Sequence, residues 1–196
     1  MTGRKIINEH ENPVDNILIE MSISLGKKLH KYPFFTPNVF TTISLIIALL
    51  GNYYIYHEIY EIGAILFFIA YFFDVMDGNF ARAYNMTSDF GDIYDHISDI
   101  TKYVILYLVI YFSKLNPNTK ILFIVGTLVF YFLSATHLGC QEKIYDKSSS
   151  LDLLRCLCHN EQHITFTRYF GVGTFMLVTS IMIYNIKYIN KLVSSS

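Results

Sequence analysis

The amino-acid sequence predicts an all-α integral membrane protein, a bundle of five to six transmembrane helices preceded by an amphipathic surface helix. Of its 196 residues, 53% are hydrophobic and only 16% are charged, a composition typical of membrane proteins. Five apolar stretches have about the length that a bilayer crossing requires. A cluster of acidic residues lies between two of these stretches, which indicates that the bundle carries a functional site.

The N-terminal part of the chain predicts an amphipathic helix over residues 13–32, where apolar and polar side chains are interspersed. Four basic residues lie near its end: Lys27, Lys28, His30 and Lys31. This pattern favours a helix on the membrane surface, with its basic end near anionic headgroups. A helix packed on the domain is the alternative. We divide the chain into the N-terminal polar segment with its surface helix (residues 1–35), a transmembrane domain (36–190) and a C-terminal tail (191–196).

The transmembrane domain begins at Thr36 and Pro37, because threonine is a favoured N-cap residue and proline suits the first turn of a helix. The predicted spans cover residues 38–56, 62–82, 91–112, 118–138 and 169–186. A polar connection, residues 141–163, separates the last two spans. Within it, residues 151–158 either form part of a short sixth helix or leave the bundle with five spans.

The distribution of lysine and arginine predicts the orientation of these spans. Basic residues are more numerous on the side of the N terminus than on the opposite side, with Lys102 lying inside a span. The positive-inside rule therefore places the N terminus and the loop after the second span in the cytoplasm. The net charge of −1 provides no general basic surface, so nucleic acid is not expected as a partner.

Four aspartates near this loop form two pairs on predicted helices. Asp74 and Asp77 are three residues apart, and Asp95 and Asp99 are four apart, so each pair shares a helix face. Two antiparallel helices joined by residues 82–90 would bring the faces together. Four like charges in one place repel each other, and they either stay partly protonated or bind hard cations. Carboxylate oxygens suit Mg²⁺ or Mn²⁺.

Two small residues and an arginine lie between the acidic pairs. Gly78 and Ala81 leave the backbone open to the close approach of a ligand, and Arg82 offers a planar donor group that suits phosphate. A divalent-cation transporter is an alternative function for carboxylates inside a membrane. However, a cation pathway gains nothing from an arginine beside its ligands, so Arg82 favours a phosphate site.

The stretch reads D-x-x-D-G-x-x-A-R-x8-G-x3-D-x3-D and resembles the signature of the CDP-alcohol phosphatidyltransferase (CDP-alcohol phosphotransferase) family, class I. The matching residues are Asp74, Asp77, Gly78, Ala81, Arg82, Gly91, Asp95 and Asp99. The motif covers only residues 74–99, but the surrounding apolar segments also look like that family's membrane helices, which usually number six.

The resemblance implies a multi-pass membrane transferase of phospholipid biosynthesis. It would move a substituted phosphate from a CDP-linked donor to an alcohol acceptor and release CMP. The implied roles are two Mg²⁺ or Mn²⁺ ions on the four aspartates, Asp99 as the base that takes the acceptor proton, and donor binding by Gly78, Ala81, Arg82 and Gly91. The resemblance further implies a homodimer with an active site that faces the cytoplasm and meets membrane lipids.

Donor and acceptor stay open between two branches of the family. The small size of the chain favours CDP-diacylglycerol as donor and a small polar alcohol as acceptor. Transfer from CDP-choline or CDP-ethanolamine to diacylglycerol is the alternative, because residues 36–41 and the Tyr94-Asp95-His96 segment look similar to that branch. Ile100 stands where inositol-phosphate-type members often carry arginine, which speaks against an inositol acceptor.

The polar connection before the last span holds residue types that bind metals: Cys156, Cys158, His159 and His163. Zinc could use such ligands, but ordinary polar loop residues explain the cluster equally well. The three cysteines are an odd number and indicate no disulfide framework. Arg155 and Arg168 either hold a phosphate or act as positive-inside anchors, and Asp92 either orients a metal ligand or stabilises a helix N terminus.

Overall fold

The computed structural model describes residues 3–146 and 149–194, and these residues form helices and loops with no strand. In these two ranges eight α-helices follow one another: α1 (Pro13–Leu29), α2 (Pro37–Tyr56), α3 (Tyr60–Ala83), α4 (Asp89–Phe112), α5 (Pro117–Tyr145), α6 (Ile164–Thr167), α7 (Val172–Tyr184) and α8 (Ile186–Ser194). Short 3₁₀ helices cover Ser149–Leu157, Glu161–His163 and Arg168–Phe170. The predicted all-α architecture is confirmed.

Four helical segments are long and apolar enough to cross a membrane: Pro37–Tyr56, Tyr60–Ala83, Pro117–Tyr145 and Glu161–Tyr184. They correspond to the first, second, fourth and fifth predicted spans, although the last begins earlier than residue 169. The third predicted span, α4, has the same 24 residues as α3. However, four aspartates in its first half and Lys102 near its middle make α4 more polar. Length and composition thus support four of the predicted spans.

The suggested sixth helix forms no span in the part of the chain that the structure describes. Most of residues 151–158 lie in the 3₁₀ helix Ser149–Leu157, whose 9 residues are too few for a bilayer crossing. A disulfide bond between Cys140 and Cys158 ties this region to α5. The expectation of no disulfide was therefore wrong, because the odd number of cysteines consists of one pair and the exposed Cys156. The bond removes Cys158 from any zinc site.

Close packing of α2 against α3 and α4 positions the two acidic helices. A Cβ atom at Gly63 of α3 would lie 2.9 Å from the carbonyl oxygen of Gly51 on α2, so only glycine permits this approach. Phe67, Leu106 and Ile110 are almost fully buried in the core that surrounds this contact. α2 therefore braces α3 and α4 in the half of the bundle away from the aspartates, while Thr41 near its start hydrogen-bonds to Asp77.

The chain reverses direction between α3 and α4. Asn85 adopts a φ of 55°, in the left-handed region that asparagine tolerates. Ser88 then caps α4, since its hydroxyl oxygen accepts a hydrogen bond from the Gly91 amide at 3.1 Å. On the other side of the loop, α2 begins as expected with Thr36 as N-cap residue and Pro37 in the first turn. The ends of α3 and α4 that carry the motif are consequently adjacent.

α1 confirms the predicted helix, which ends at Leu29. Its Leu18 and Ile19 are buried against the bundle, and Leu25 packs against the aromatic cluster around Phe80. The helix is thus packed on the domain along one face, as in the alternative interpretation. Its opposite face exposes Ile17 and other apolar residues, and the location of this face at the membrane surface stays a prediction.

Candidate active site

The structure brings the two pairs of aspartates together in one group, called here the carboxylate cluster: Asp74, Asp77, Asp95 and Asp99. The first pair lies in the second half of α3 and the second pair in the first half of α4. One carboxylate oxygen from each of Asp74, Asp95 and Asp99 lies within 4.8 Å of the other two. The helix reversal explains this convergence, because it places the two acidic faces opposite each other.

Asp77 is the most deeply buried member of the cluster, with 6% of the residue exposed. Its carboxylate accepts a hydrogen bond from the Thr41 hydroxyl of α2 at 2.8 Å, and its side chain also contacts the carboxyl group of Asp95. α2 therefore fixes the position of Asp77 relative to the three other aspartates.

Lys102 is a site residue that sequence reasoning missed. Its Nζ atom lies 2.6 Å from Asp74 Oδ1 and 2.8 Å from Asp99 Oδ1, and only 4% of the residue is exposed. The sequence did contain a signal, because Lys102 lies three residues after Asp99 and so shares its helix face. A buried charge inside a span also requires a partner. From the sequence we placed Lys102 inside a span but assigned it no role in the site.

The cluster fits the divalent ions that the family resemblance implies. Its donor atoms are carboxylate oxygens, the ligands that Mg²⁺ and Mn²⁺ prefer. Asp95 Oδ1 is buried and has no hydrogen-bond partner among the described residues. A buried acceptor without a partner is costly, and a metal ion would provide the missing interaction.

The other motif residues surround the end of α3. The Arg82 guanidinium folds back over Gly78, so that a Cβ atom at Gly78 would lie 3.1 Å from Arg82 Nη1. Arg82 Nε donates a hydrogen bond to the Gly3 carbonyl oxygen at 2.8 Å, while much of the side chain stays exposed. Ala81 lies in the same turn of α3. Gly91 lies across the loop in the first turn of α4, where a side chain would meet Ser88 and α2.

A cavity of about 460 Å³ opens beside the carboxylate cluster. Apolar side chains from α2, α3, α4, α5 and α7 form most of its wall, among them Phe67, Tyr103 and Phe175. Four polar residues of the site also line it: Asp74, His96, Asp99 and Lys102. The remaining motif residues, including Gly78 and Arg82, are not part of the wall. The cavity therefore meets only one side of the cluster.

A second group of polar residues lies where the N-terminal segment meets α5 and α7. This N-terminal network consists of buried side chains: Glu11, Asn12, Asp15, His137 and Gln141. Asp15 accepts hydrogen bonds from the Tyr71 hydroxyl at 2.5 Å and the Gly173 amide at 3.1 Å. Burial raises the pKa of Asp15 to about 7 and also raises the pKa of Glu11. Nothing in the spacing of these residues indicated the network.

The remaining predicted candidates are engaged elsewhere or exposed. Arg155 pairs with Asp146 and Asp152 at the surface, and Arg168 donates to the carbonyl oxygen of Glu9. Neither arginine lines the cavity, so the interpretation as phosphate ligands gains no support. Asp92 is exposed in the first turn of α4, and its carboxylate lies 3.9 Å from His96 Nδ1.

Comparison with known proteins adds one positive finding. A family model described as CDP-alcohol phosphatidyltransferase matches residues 34–194. The matched region includes all of α2 to α8 and therefore the whole carboxylate cluster, whereas α1 and the segment before it lie outside. Comparison with curated proteins gives no match.

Proposed function

Because the chain belongs to the CDP-alcohol phosphatidyltransferase family, we propose that it transfers a substituted phosphate from a CDP-linked donor to the hydroxyl group of an alcohol, with release of CMP. One observation carries this proposal: a carboxylate cluster, an exposed arginine and an apolar cavity meet at the ends of α3 and α4. A diphosphate-linked substrate with a lipid partner requires all three. A cation transporter would have no use for Arg82 at this place.

The arginine side of the cluster is suited to the donor. Gly78 and Arg82 lie about 6 and 12 Å beyond Asp74 along the axis of α3, at roughly 1.5 Å per residue. Gly78 leaves the space over which Arg82 folds, and the guanidinium can bind a phosphate with two parallel hydrogen bonds. Gly3 uses only the Nε donor of Arg82, so among the described residues this contact leaves the two terminal nitrogens for the diphosphate.

Asp99 is suited to the acceptor. It is the aspartate farthest along α4 and lines the cavity, as Asp74 does, whereas Asp77 and Asp95 do not. An alcohol that enters from the cavity therefore reaches Asp99 before those two. In this position its carboxylate can take the proton from the acceptor hydroxyl as the oxygen attacks phosphorus. When bound by the cluster, Mg²⁺ or Mn²⁺ would neutralise charge on the phosphate oxygens. Asp74, Asp77, Asp95 and Asp99 would hold the ions.

The position of the cavity favours a lipid acceptor. In phosphoryl transfer the attacking and leaving oxygens are roughly in line, so the acceptor approaches from the side opposite CMP. If CMP occupies the Arg82 side, the acceptor arrives through the cavity, whose wall is mainly apolar. Diacylglycerol fits such a wall better than a small polar alcohol. This observation favours the choline/ethanolamine phosphotransferase type of reaction over the CDP-diacylglycerol donor that the short chain suggested.

We further propose that the site faces the cytoplasm. The hydrogen bond between Gly3 and Arg82 places the N-terminal segment and the motif at the same end of the bundle. The positive-inside rule assigns the basic N-terminal segment to the cytoplasm, where a water-soluble CDP-linked donor is available. The homodimer stays a prediction from the family resemblance.

The test is transfer of radiolabelled headgroup in membranes that contain the full-length protein. CDP-choline or CDP-ethanolamine with diacylglycerol forms one arm, and CDP-diacylglycerol with a panel of small alcohols forms the other. We expect labelled lipid in the first arm, in the presence of Mg²⁺ or Mn²⁺, and complete loss after chelation with EDTA. Product in the second arm alone would restore CDP-diacylglycerol as donor. Failure of both arms with either ion, or turnover that survives EDTA, would overturn the proposed reaction or its metal dependence.

A further inference from the structure

The ammonium group of Lys102 occupies a defined position between two members of the carboxylate cluster. It lies 2.6 Å from Asp74 Oδ1 and 2.8 Å from Asp99 Oδ1, and it donates a hydrogen bond to Ser44 Oγ at 2.9 Å. An ammonium group has three donors, so these three contacts use all of them. The side chain is thus fully paired although it is almost completely buried.

The surroundings of Lys102 are built from three helices. Ser44 on α2 is itself buried and donates its hydroxyl to the Ala70 carbonyl oxygen of α3 at 2.8 Å. Asn52, also on α2, donates to the carbonyl oxygen of Lys102 at 3.2 Å. Two polar side chains of α2 therefore position Lys102: Ser44 contacts its ammonium group and Asn52 its backbone.

Electrostatics gives this position a consequence for metal binding. Asp74 and Asp99 are two of the three residues whose oxygens come close enough to hold one ion. An ammonium group and a divalent cation repel each other at contact distance, and both need the same two carboxylates. Lys102 also lines the cavity, so a displaced ammonium group has space into which it can move.

We propose that Lys102 is a positioning residue, a built-in counter-ion that holds Asp74 and Asp99 together before divalent ions bind and competes with those ions for the two carboxylates. The inference rests on the proposed function, which supplies the ions. Lys102 has two opposite effects on the cluster. Lys102 stabilises the metal-free cluster by neutralising part of its charge, and it lowers the affinity of the cluster for the metal.

The test measures Mn²⁺ binding to the purified full-length protein in detergent, by the electron paramagnetic resonance signal of free Mn²⁺. Lys102→Met removes the charge and keeps much of the side-chain volume. We expect it to bind Mn²⁺ more tightly than the wild type, by about 5- to 150-fold, the usual range for coupled sites. Without metal, the variant should unfold at a lower temperature than the wild type, and Mn²⁺ should raise its midpoint by more.

Two control variants separate charge from general damage. Lys114→Met makes the same substitution at a lysine whose side chain is 92% exposed, and it should change neither measurement. Lys102→Arg keeps a positive charge and should stay closer to the wild type in Mn²⁺ affinity than Lys102→Met does. Equal or weaker Mn²⁺ binding by Lys102→Met would overturn the inference alone. Absence of Mn²⁺ binding in both wild type and variant would overturn the inference together with the metal part of the proposed function.

Ser44→Ala keeps the test decisive should Lys102→Met fail to fold. This variant preserves the lysine but removes one of its three hydrogen bonds, so the ammonium group should yield to Mn²⁺ more easily. We expect a gain in Mn²⁺ affinity in the same direction as for Lys102→Met, but smaller. Unchanged or weakened binding would show that Lys102 does not compete with the ion.

Discussion

The carboxylate cluster and the N-terminal network are both buried and polar, but they differ in how well their groups satisfy one another. The cluster combines four aspartates with a single ammonium group, and Asp95 Oδ1 finds no partner among the described residues. Its excess negative charge is costly unless cations bind. Such an imbalance is therefore what a site for ions and phosphate requires before its ligands arrive.

In the N-terminal network, by contrast, hydrogen bonds between neighbours satisfy most of the groups. Asn12 donates to the Arg168 carbonyl oxygen at 2.6 Å and to the Thr174 hydroxyl at 2.8 Å. Gln141 bridges His137 and Glu11 at 2.9 and 3.3 Å. A buried network that is satisfied in this way rigidifies the structure. The comparison suggests that burial of charge marks a functional site only where the charges stay uncompensated.

Tyr71 is the physical link between the two regions. Its hydroxyl donates to Asp15 in the network, and the same residue lines the cavity next to Asp74. Gly3 provides a second link through Arg82. The segment outside the matched family region thus contacts the site at two places, and the variants below separate chemistry in the cluster from support by the network.

The largest effect is expected from Asp99→Asn in the carboxylate cluster. The amide keeps the size of the side chain, and it leaves Lys102 paired with Asp74, but it cannot accept a proton at working pH. Loss of a general base should lower the rate of transfer by about 100- to 10,000-fold. The measurement compares headgroup transfer with binding of the CDP donor at saturating Mn²⁺, and donor binding should stay close to that of the wild type.

Asp89→Asn is the matched control, since Asp89 is an exposed aspartate in the first turn of α4, outside the cluster. It should transfer at the wild-type rate. If Asp99→Asn retained transfer at saturating metal, Asp99 would be a ligand only, and another group would have to take the proton. That result would weaken the contrast between the two regions, because a carboxylate that lines the cavity would then have no role in proton transfer.

The sequence predicted the carboxylate cluster in large part, but it did not predict the N-terminal network. The spacing of the four aspartates and the reversal between α3 and α4 predicted their convergence, because both depend on local helix geometry. Lys102 was readable from its spacing to Asp99, but its partner Asp74 lies on another helix. Asp15 was hidden among the polar residues of α1. Its partners, Tyr71 and Gly173, are distant in the chain, and periodicity carries no information on such contacts.

The second largest effect on transfer is expected from a substitution of Arg82, which links the motif to the N-terminal segment. Arg82→Lys keeps the charge but cannot bind a phosphate with a planar pair of donors, and it loses the bond to Gly3. We expect kcat/KM for the CDP donor to fall by about 10- to 100-fold, as for the loss of one hydrogen bond to a charged group. Steady-state kinetics with Arg155→Lys as control checks this. Equal kinetics for Arg82→Lys and wild type would reduce Arg82 to a topological anchor.

The smallest effect on transfer, but a distinct effect on stability, is expected from Asp15→Asn in the N-terminal network. Asparagine can accept from the Gly173 amide and donate to the Tyr71 hydroxyl, so both bonds have a replacement. The pKa of Asp15 is about 7 in the folded protein and 3.8 as its ordinary value. Between these values the folded state binds a proton that the unfolded state has released. The proton on Asp15 therefore stabilises the folded state fully below about pH 4, and this stabilisation is lost as the pH rises towards 7.

Thermal unfolding in detergent at a series of pH values tests this. The wild type should lose up to about 1.4 kcal/mol per pH unit relative to Asp15→Asn across this window, while headgroup transfer at neutral pH stays near the wild-type rate. Glu11, whose pKa is also raised by burial, adds a dependence of the same sign to both proteins. Because the charge of Glu11 also raises the pKa of Asp15, the difference between the two proteins reports the interacting pair. Parallel stability curves would show that Asp15 is ionised in the folded state. The network would then carry an uncompensated charge of its own, and its contrast with the carboxylate cluster would disappear.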